Sequence, residues 1–245
     1  MSKNLLFTSA GDNTDFYNNW LHSNKNYDVW VVYYGNNENN FQNYKKVVNR
    51  IWKNKGSKFQ NFFKIFKEYF YDLIKYDRFF ILDDDIIINT NSINVLFDIS
   101  KRYNLDICQP AFIPGKSLIS HEITGAENGV FMKYTNFIEV NAPLFSKNAL
   151  ISFMKHYDPI LLGWGIDFLY IWANGMNRKD AFAVIDFIRC INPDHRQKKN
   201  KSDRELNKIK DVNLRAHHWG EFAKKKGIPN YWRPAVYKKL YMKLY

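Results

Sequence analysis

The sequence predicts an α/β fold: a mixed, mainly parallel sheet flanked by helices. Three observations carry this. Apolar strand-like runs alternate with helical periodicity through about the first hundred residues, the pattern of a parallel sheet covered on both faces. Two of those runs end in polar turns, Gly11-Asp12-Asn13 and Asp83-Asp84-Asp85, at the rim where such sheets bind ligands. Hydrophobic residues make up 46% of the 245 and aromatics 18%, which suits a folded globule rather than a disordered chain.

Taken in order, residues 4–10 (NLLFTSA) read as a buried strand, 15–22 as a short helix and 27–34 (YDVWVVYY) as a strand of β-branched and aromatic residues. Residues 44–53 and 58–74 read as helices. In the second, Phe59, Phe62, Phe63, Phe66, Tyr69, Phe70 and Leu73 recur at spacings of three and four, forming one wide apolar face. Residues 78–82 form the next strand, Ser92 caps a helix reaching Tyr103, and 106–110 form another strand. Further on, 137–145 read as a strand and 147–157 as a helix. Gly163-Trp164-Gly165 breaks the chain before a helix over 166–172, and 181–188 read as a strand. Residues 196–210 form a charged segment expected to be mobile. With no internal repeat and no linker, the reading is a single domain over 1–230 and a basic aromatic tail at 231–245. Past Pro234 that tail suits a short amphipathic helix.

The formal charge is +12, a balance that favours anionic partners. Cys108 and Cys190 sit in apolar strand-like contexts and are expected as buried thiols rather than a disulfide or metal ligands. No secretory leader is read at the start of the sequence, and no apolar stretch approaches the roughly 18–20 residues that cross a bilayer. The expected location is cytoplasmic, with the tail resting peripherally on an anionic membrane surface.

Three like charges between FFIL and III (residues 79–88) repel one another and offer nothing to a core. Carboxylates two residues apart at a strand end share a hard divalent cation with phosphate oxygens, which resolves the conflict. Gly163-Trp164-Gly165-Ile166-Asp167 gives a tight backbone path near a ligand, a flat ring that stacks on a sugar, and a carboxylate at a helix start. His195 follows a strand and a Pro-containing turn, where a third metal ligand is plausible; the pair His217-His218 is the alternative.

These residues together resemble a known class. An apolar strand into D-x-D, then W-G-x-D some eighty residues on, then a histidine, resembles the GT-A nucleotide-sugar glycosyltransferases, whose sheet is Rossmann-like. Gly163–Asp167 is similar to the W-G-W-G-x-E-D segment of the beta-1,4-galactosyltransferases, with the acidic pair reduced to Asp167. A nearer likeness is to an uncharacterised plant and bacterial GT-A-like family. Its motifs match Lys55-Gly-Ser-Lys-Phe59, Asp83-Asp-Asp85, Ile107-Cys-Gln-Pro-Ala111, Ala142-Pro-Leu-Phe-Ser146 and Gly163-Trp-Gly-Ile-Asp167 in that order.

The resemblance implies a division of roles. Ser9, Gly11 and Asp12 would hold the nucleotide base and ribose, with Asp83 and Asp84 beside them and Lys58 offsetting phosphate charge. Asp83, Asp85 and His195 would bind Mn²⁺ or Mg²⁺. Asp84 also stands out as the one carboxylate of the three turned away onto backbone amides or a basic side chain. Glu139, Trp164 and His121 would face the sugar or acceptor, and Asp167 would be the general base of an inverting transfer. The donor would be a nucleotide-diphosphate sugar, a UDP-sugar first, and the acceptor a glycan or lipid-linked hydroxyl. Two other classes compete. A metal-dependent phosphotransferase or nuclease calls for further carboxylates around a second metal. A nucleic-acid-binding protein would spread its basic residues along one binding element, whereas here they concentrate in the last fifty positions.

Overall fold

The computed structural model describes residues 3–14, 16–194 and 212–242. Among them a nine-stranded sheet runs in the order β3-β2-β1-β4-β7-β5-β8-β6-β9. Strand β1 (Asn4–Ala10) lies between β2 (Asp28–Tyr33) and β4 (Arg78–Ile81), parallel to both, and β3 (Arg50–Lys53) extends the parallel run from β2. Beyond β4 the directions mix. The short β7 (Leu144–Ser146) is antiparallel to β4 and to β5 (Ile107–Phe112), and β5 runs parallel to β8 (Phe182–Cys190). Strand β6 (Val130–Thr135) is antiparallel to β8 and to β9 (Val236–Tyr241).

Alternate residues of these strands feed two cores. Leu5, Phe7, Trp30, Val32, Phe79 and Ile81 face one side, covered by α3 (Lys58–Glu68), α6 (Lys147–Met154), α7 (Ile166–Ala173) and α8 (Val212–Lys226). Leu6, Val29, Val31, Phe80 and Leu82 face the other, with α1 (Phe16–Asn19), α2 (Glu38–Lys45) and α5 (Thr90–Arg102). Burial on both faces is why these strands read as unbroken apolar runs. Cys108 and Cys190 are buried thiols in this second core, and burial pushes Cys108 up to about 12.

The structure differs from the sequence reading at several elements, each for a tertiary reason. Residues 50–53 are strand β3, not the end of a helix. Asn49 trades bonds with Val29, its Oδ1 accepting from Val29 N at 2.8 Å and its N donating to Val29 O at 2.9 Å. That leads the chain into the β2 ladder, where Trp52 packs edge-on against Trp30. The helix read over 58–74 breaks at Tyr69, whose backbone (φ −121°, ψ 29°) leaves the helical region while its ring meets Trp52; α4 (Phe70–Leu73) resumes beyond it. Helix α5 is capped by Asn89, whose side chain accepts from Ser92 N at 2.8 Å, rather than by Ser92.

Of the strand read over 137–145, only 144 and 145 join the sheet, in β7. Of the backbone before it, Pro143 O and Asn141 O still accept from Ile81 N and Asp83 N, while Glu139 N donates to Gln109 Oε1 and the carbonyls of Val140 and Asn141 accept from Lys58. Strand β6 was not read at all. Past Pro234 the tail is β9, not an amphipathic helix, because the open edge of β6 offers a ladder that pairs Thr135 with Val236 and Met132 with Leu240. Trp219, 1% exposed, lies under the Gly163–Gly165 turn, and a Cβ on Gly165 (φ +79°) would collide with its ring. Among the described residues no helix is long and apolar enough to cross a membrane.

We expect Gly165→Ala to lower stability by about 2 kcal/mol or more, since it adds backbone strain to a steric clash. Chemical denaturation checks this. A change within about 0.5 kcal/mol would show that the turn and the Trp219 ring move apart without cost.

Candidate active site

The parallel pairing of β1 with β4 sets Phe7 against Ile81, so the turns after the two strands meet at one rim. Leu82 N continues the ladder to Phe7 O at 3.0 Å. Asp84, 5% exposed, turns under the first of these turns: its Oδ2 accepts from Gly11 N at 2.9 Å, and its carbonyl accepts from Thr14 Oγ1 at 2.7 Å. A charged acceptor on a backbone amide is among the stronger hydrogen bonds. Asp84 is therefore a staple between the two strand ends, its carboxylate turned onto a backbone amide.

Asp12 is likewise engaged. It accepts from Tyr33 Oη and from the amides of Asn36 (2.9 Å) and Asn37 (3.1 Å). Burial alone would raise its carboxyl, but these bonds outweigh it and hold the group below its ordinary value. Ser9 is buried and its Oγ accepts from Asn61 Nδ2 at 3.0 Å, tying α3 to β1. Gly11 has no room for a side chain, since a Cβ would lie 2.8 Å from the Tyr34 ring. Both residues shape the rim from beneath.

A cleft of about 180 Å³ opens beside the aspartates. Ser57, Lys58 and Phe59 at the start of α3 line it, together with Asp83, Asn141, Gly163, Ile166 and Asn192. Asp83 keeps about a third of its side chain exposed there, 31%. Lys58 does not point its charge at open space. Its Nζ lies 2.7 Å from Asp83 Oδ1 and donates to the carbonyls of Val140 (2.7 Å), Asn141 (3.1 Å) and Ile81 (3.2 Å). It neutralises Asp83 directly, as a built-in counter-ion. Asp85 is buried, 4% exposed.

Across the cleft, Gly163 (φ +101°) and Gly165 (φ +79°) carry Trp164, half-exposed at 51%, into α7. Asp167 sits in the first turn of that helix, its Oδ1 accepting from Phe168 N at 3.0 Å. Though partly accessible, its carboxyl is lodged among protein atoms. Burial first, with repulsion from Glu139 added, pushes it up to about 7. Glu139 is 3% exposed and accepts from Thr124 Oγ1 at 2.6 Å; burial raises it too, against hydrogen bonds from Thr124, His121 and Ser120. The His121 ring packs 4.2 Å from that of Phe137, and burial lowers its affinity for a proton. Asp167, Glu139 and His121 thus form one neighbourhood beside the cleft.

His195 lies outside the described residues. Among the described residues no three His, Cys, Asp or Glu side chains gather to hold a metal. A magnesium-type ion needs only one or two carboxylates, with phosphate oxygens completing its shell. Asp83, exposed at the cleft, fits that donor chemistry, with Asp85 two positions on. Sequence reasoning missed Ser57, Asn141 and Asn192. Asn192 is brought in by the antiparallel bridge between Ile87 and Ile191, which no local pattern announces.

No protein-family model matches the chain, and no curated protein does. Solved structures do. S. aureus TarS 1–349 superposes with a TM-score of 0.53 at 10% identity, covering 89% of this chain and 65% of that one. A longer S. aureus TarS chain gives 0.51 at 9% identity, covering 89% and 39%. The chain spans less than two thirds of either neighbour, and the likeness is one of fold. With the sheet described above, this defines the class of fold: a mixed α/β sheet flanked by helices, shared with these structures.

Replacing Lys58 by Met leaves Asp83 and three carbonyls without their shared donor, and we expect a loss of about 1–3 kcal/mol. Thermal unfolding of Lys58→Met and Lys58→Arg checks this. The bulkier guanidinium should fail to restore stability, and parent-like melting of both variants would remove Lys58 from the structural role given it here.

Proposed function

We propose that the chain is a glycosyltransferase that moves a hexosyl group from a nucleotide-diphosphate sugar, a UDP-sugar first, to a glycan or lipid-linked acceptor hydroxyl with inversion. One observation carries the reading. A cleft beyond the carboxyl end of β4 brings Asp83, the start of α3, Gly163 and Ile166 to one place, and Asp167, a carboxyl of raised proton affinity, follows Ile166 in the chain. The fold shared with the TarS structures supports it.

The first turn of α3 at the cleft favours an anionic group through the helix dipole, which suits the diphosphate. Mn²⁺ or Mg²⁺, held by Asp83 and Asp85, would supply Lewis-acid relief of charge on the leaving diphosphate. Lys58 keeps Asp83 oriented whether or not the donor is present. Asp167 takes the proton of the acceptor hydroxyl. A base is most effective when its pKa lies near the working pH, and burial places Asp167 there at about 7. Trp164 offers the acceptor sugar a ring face, while His121 and Glu139 border the sugar. Lys224–Lys226 on α8 and Lys238 on β9 support an anionic surface as the place where a lipid-linked acceptor is met.

Two measurements test this. Calorimetry with UDP and Mn²⁺ should show binding that Asp83→Asn weakens at least tenfold; equal affinity in the two proteins would end the donor-site reading. Asp167→Asn should lower transfer by about 10²–10⁴. The parent rate should rise with pH through about 7, as the base loses its proton. The same raised pKa means that the folded state holds this proton more tightly than the unfolded chain. The parent's stability from this group is then full below the ordinary Asp range and declines as pH rises toward 7. The Asn variant, free of that decline, should melt no lower than the parent at pH 8. Lower melting with intact transfer would assign Asp167 to the helix rather than to the chemistry.

A further inference from the structure

Tyr231 has no part in the roles above, and its setting is unusual. Its chain neighbours are pinned: Asn230 O accepts from Trp219 Nε1 at 2.9 Å, and Trp232 Nε1 donates to Asn136 O at 3.2 Å. Asn136 also donates to Arg233 O at 3.1 Å and accepts from Ala235 N at 2.7 Å. Between these anchors the Tyr231 ring stands 62% exposed, its one ring contact among the described residues being edge-on to Phe168 at 5.6 Å. Phe168 follows Asp167 in α7, and also meets Trp232 edge-on at 4.6 Å and stacks on Trp219 at 6.2 Å. Trp219 is the ring under Gly165, next to the half-exposed Trp164.

An aromatic cluster packed on α7 therefore presents the Tyr231 ring to solvent, and the exposed Trp164 precedes Gly165, whose backbone lies on the Trp219 ring of that cluster. Exposed apolar rings that form a contiguous patch mark a binding surface. Because the backbone is already ordered, little entropy is lost when a ligand covers them. A ring face with a polar edge suits a ligand with flat apolar CH faces and equatorial hydroxyls, the surface chemistry of a pyranose.

We propose that Tyr231 forms, with Trp164, a glycan subsite beside Asp167, so that the acceptor is a carbohydrate chain engaged at more than one sugar ring rather than a small hydroxyl compound. This rests on the glycosyltransferase reading for its purpose, but binding at the subsite does not require turnover. Native electrophoresis through gels containing laminarin, dextran or hydroxyethyl cellulose tests it, with calorimetric UDP binding measured on the parent alone. The expected result is retardation of the parent by at least one polysaccharide. Tyr231→Ala should weaken it about tenfold, equivalent to about 1.4 kcal/mol, and Tyr231→Phe should retain it because the ring face is kept. Unchanged melting of both variants shows that the fold survives. UDP binding without retardation of the parent, or equal retardation of parent and Tyr231→Ala, would overturn the subsite while leaving the donor reading standing. Retardation that depends on the ring without UDP binding would uphold the subsite and overturn the donor reading. Loss in Tyr231→Phe equal to that in Tyr231→Ala would place the contact on the hydroxyl and overturn stacking.

Discussion

The Lys58 ammonium is the interaction on which the site's geometry depends. It is nearly buried, and its oxygen partners come from two separate stretches: the carbonyl of Ile81 and the carboxylate of Asp83 at the end of β4, and the carbonyls of Val140 and Asn141 ahead of β7. A buried ammonium must find such partners or lose its charge. These stretches can supply them only if α3, β4 and the approach to β7 converge. Their convergence makes one wall of the cleft. Residues 137–143 stay irregular while satisfying their polar groups with both partners: Glu139 N and the Val140 carbonyl bond to side chains, and the Asn141 and Pro143 carbonyls also accept from Asp83 N and Ile81 N.

The three aspartates then take three different situations from one short turn. Asp83 is paired with Lys58 and remains partly open to the cleft, Asp84 is tied to the Gly11 amide, and Asp85 is buried. Each of the adjacent carboxylates thus meets a different environment, which spreads their charges apart. On the opposite side, Asp167 and Glu139 are near enough to repel, and burial raises both. Like-charged carboxyls in a low-dielectric setting do not both ionise easily. The result is one wall rich in fixed charge pairs and another whose protonation is poised near neutrality, a division suited to binding an anion and moving a proton.

The aromatic cluster under Gly165 links the second wall to the end of the chain. Trp219 fills the space that a side chain at 165 would need, and Asn230 and Trp232 anchor the segment leading to β9. Strand β9 is held as well by Lys239, which pairs with Glu127 at 2.6 Å; Glu127 in turn meets the buried Lys133–Asp186 pair. Segments far apart in sequence are thus built into the same face as Asp167.

By itself the sequence determined the alternating strands and helices, the buried character of both thiols, the rim shared by the Gly11 and Asp83 turns, and the glycine break before Asp167. These are local facts: an apolar run, a strand end, a pair of glycines. Only the tertiary structure decided where Lys58 would spend its charge, because its partners lie up to 83 positions away. It also decided that residues 50–53 and 236–241 are strands, because β2 and β6 offered them ladders that outweigh helical periodicity. And it set the Asp167 proton near pH 7, because burial and the nearness of Glu139 arise only when α7 packs beside residues 137–141. Spacing along a chain reports which groups are present; the dielectric and the neighbours that fix their charge come from packing.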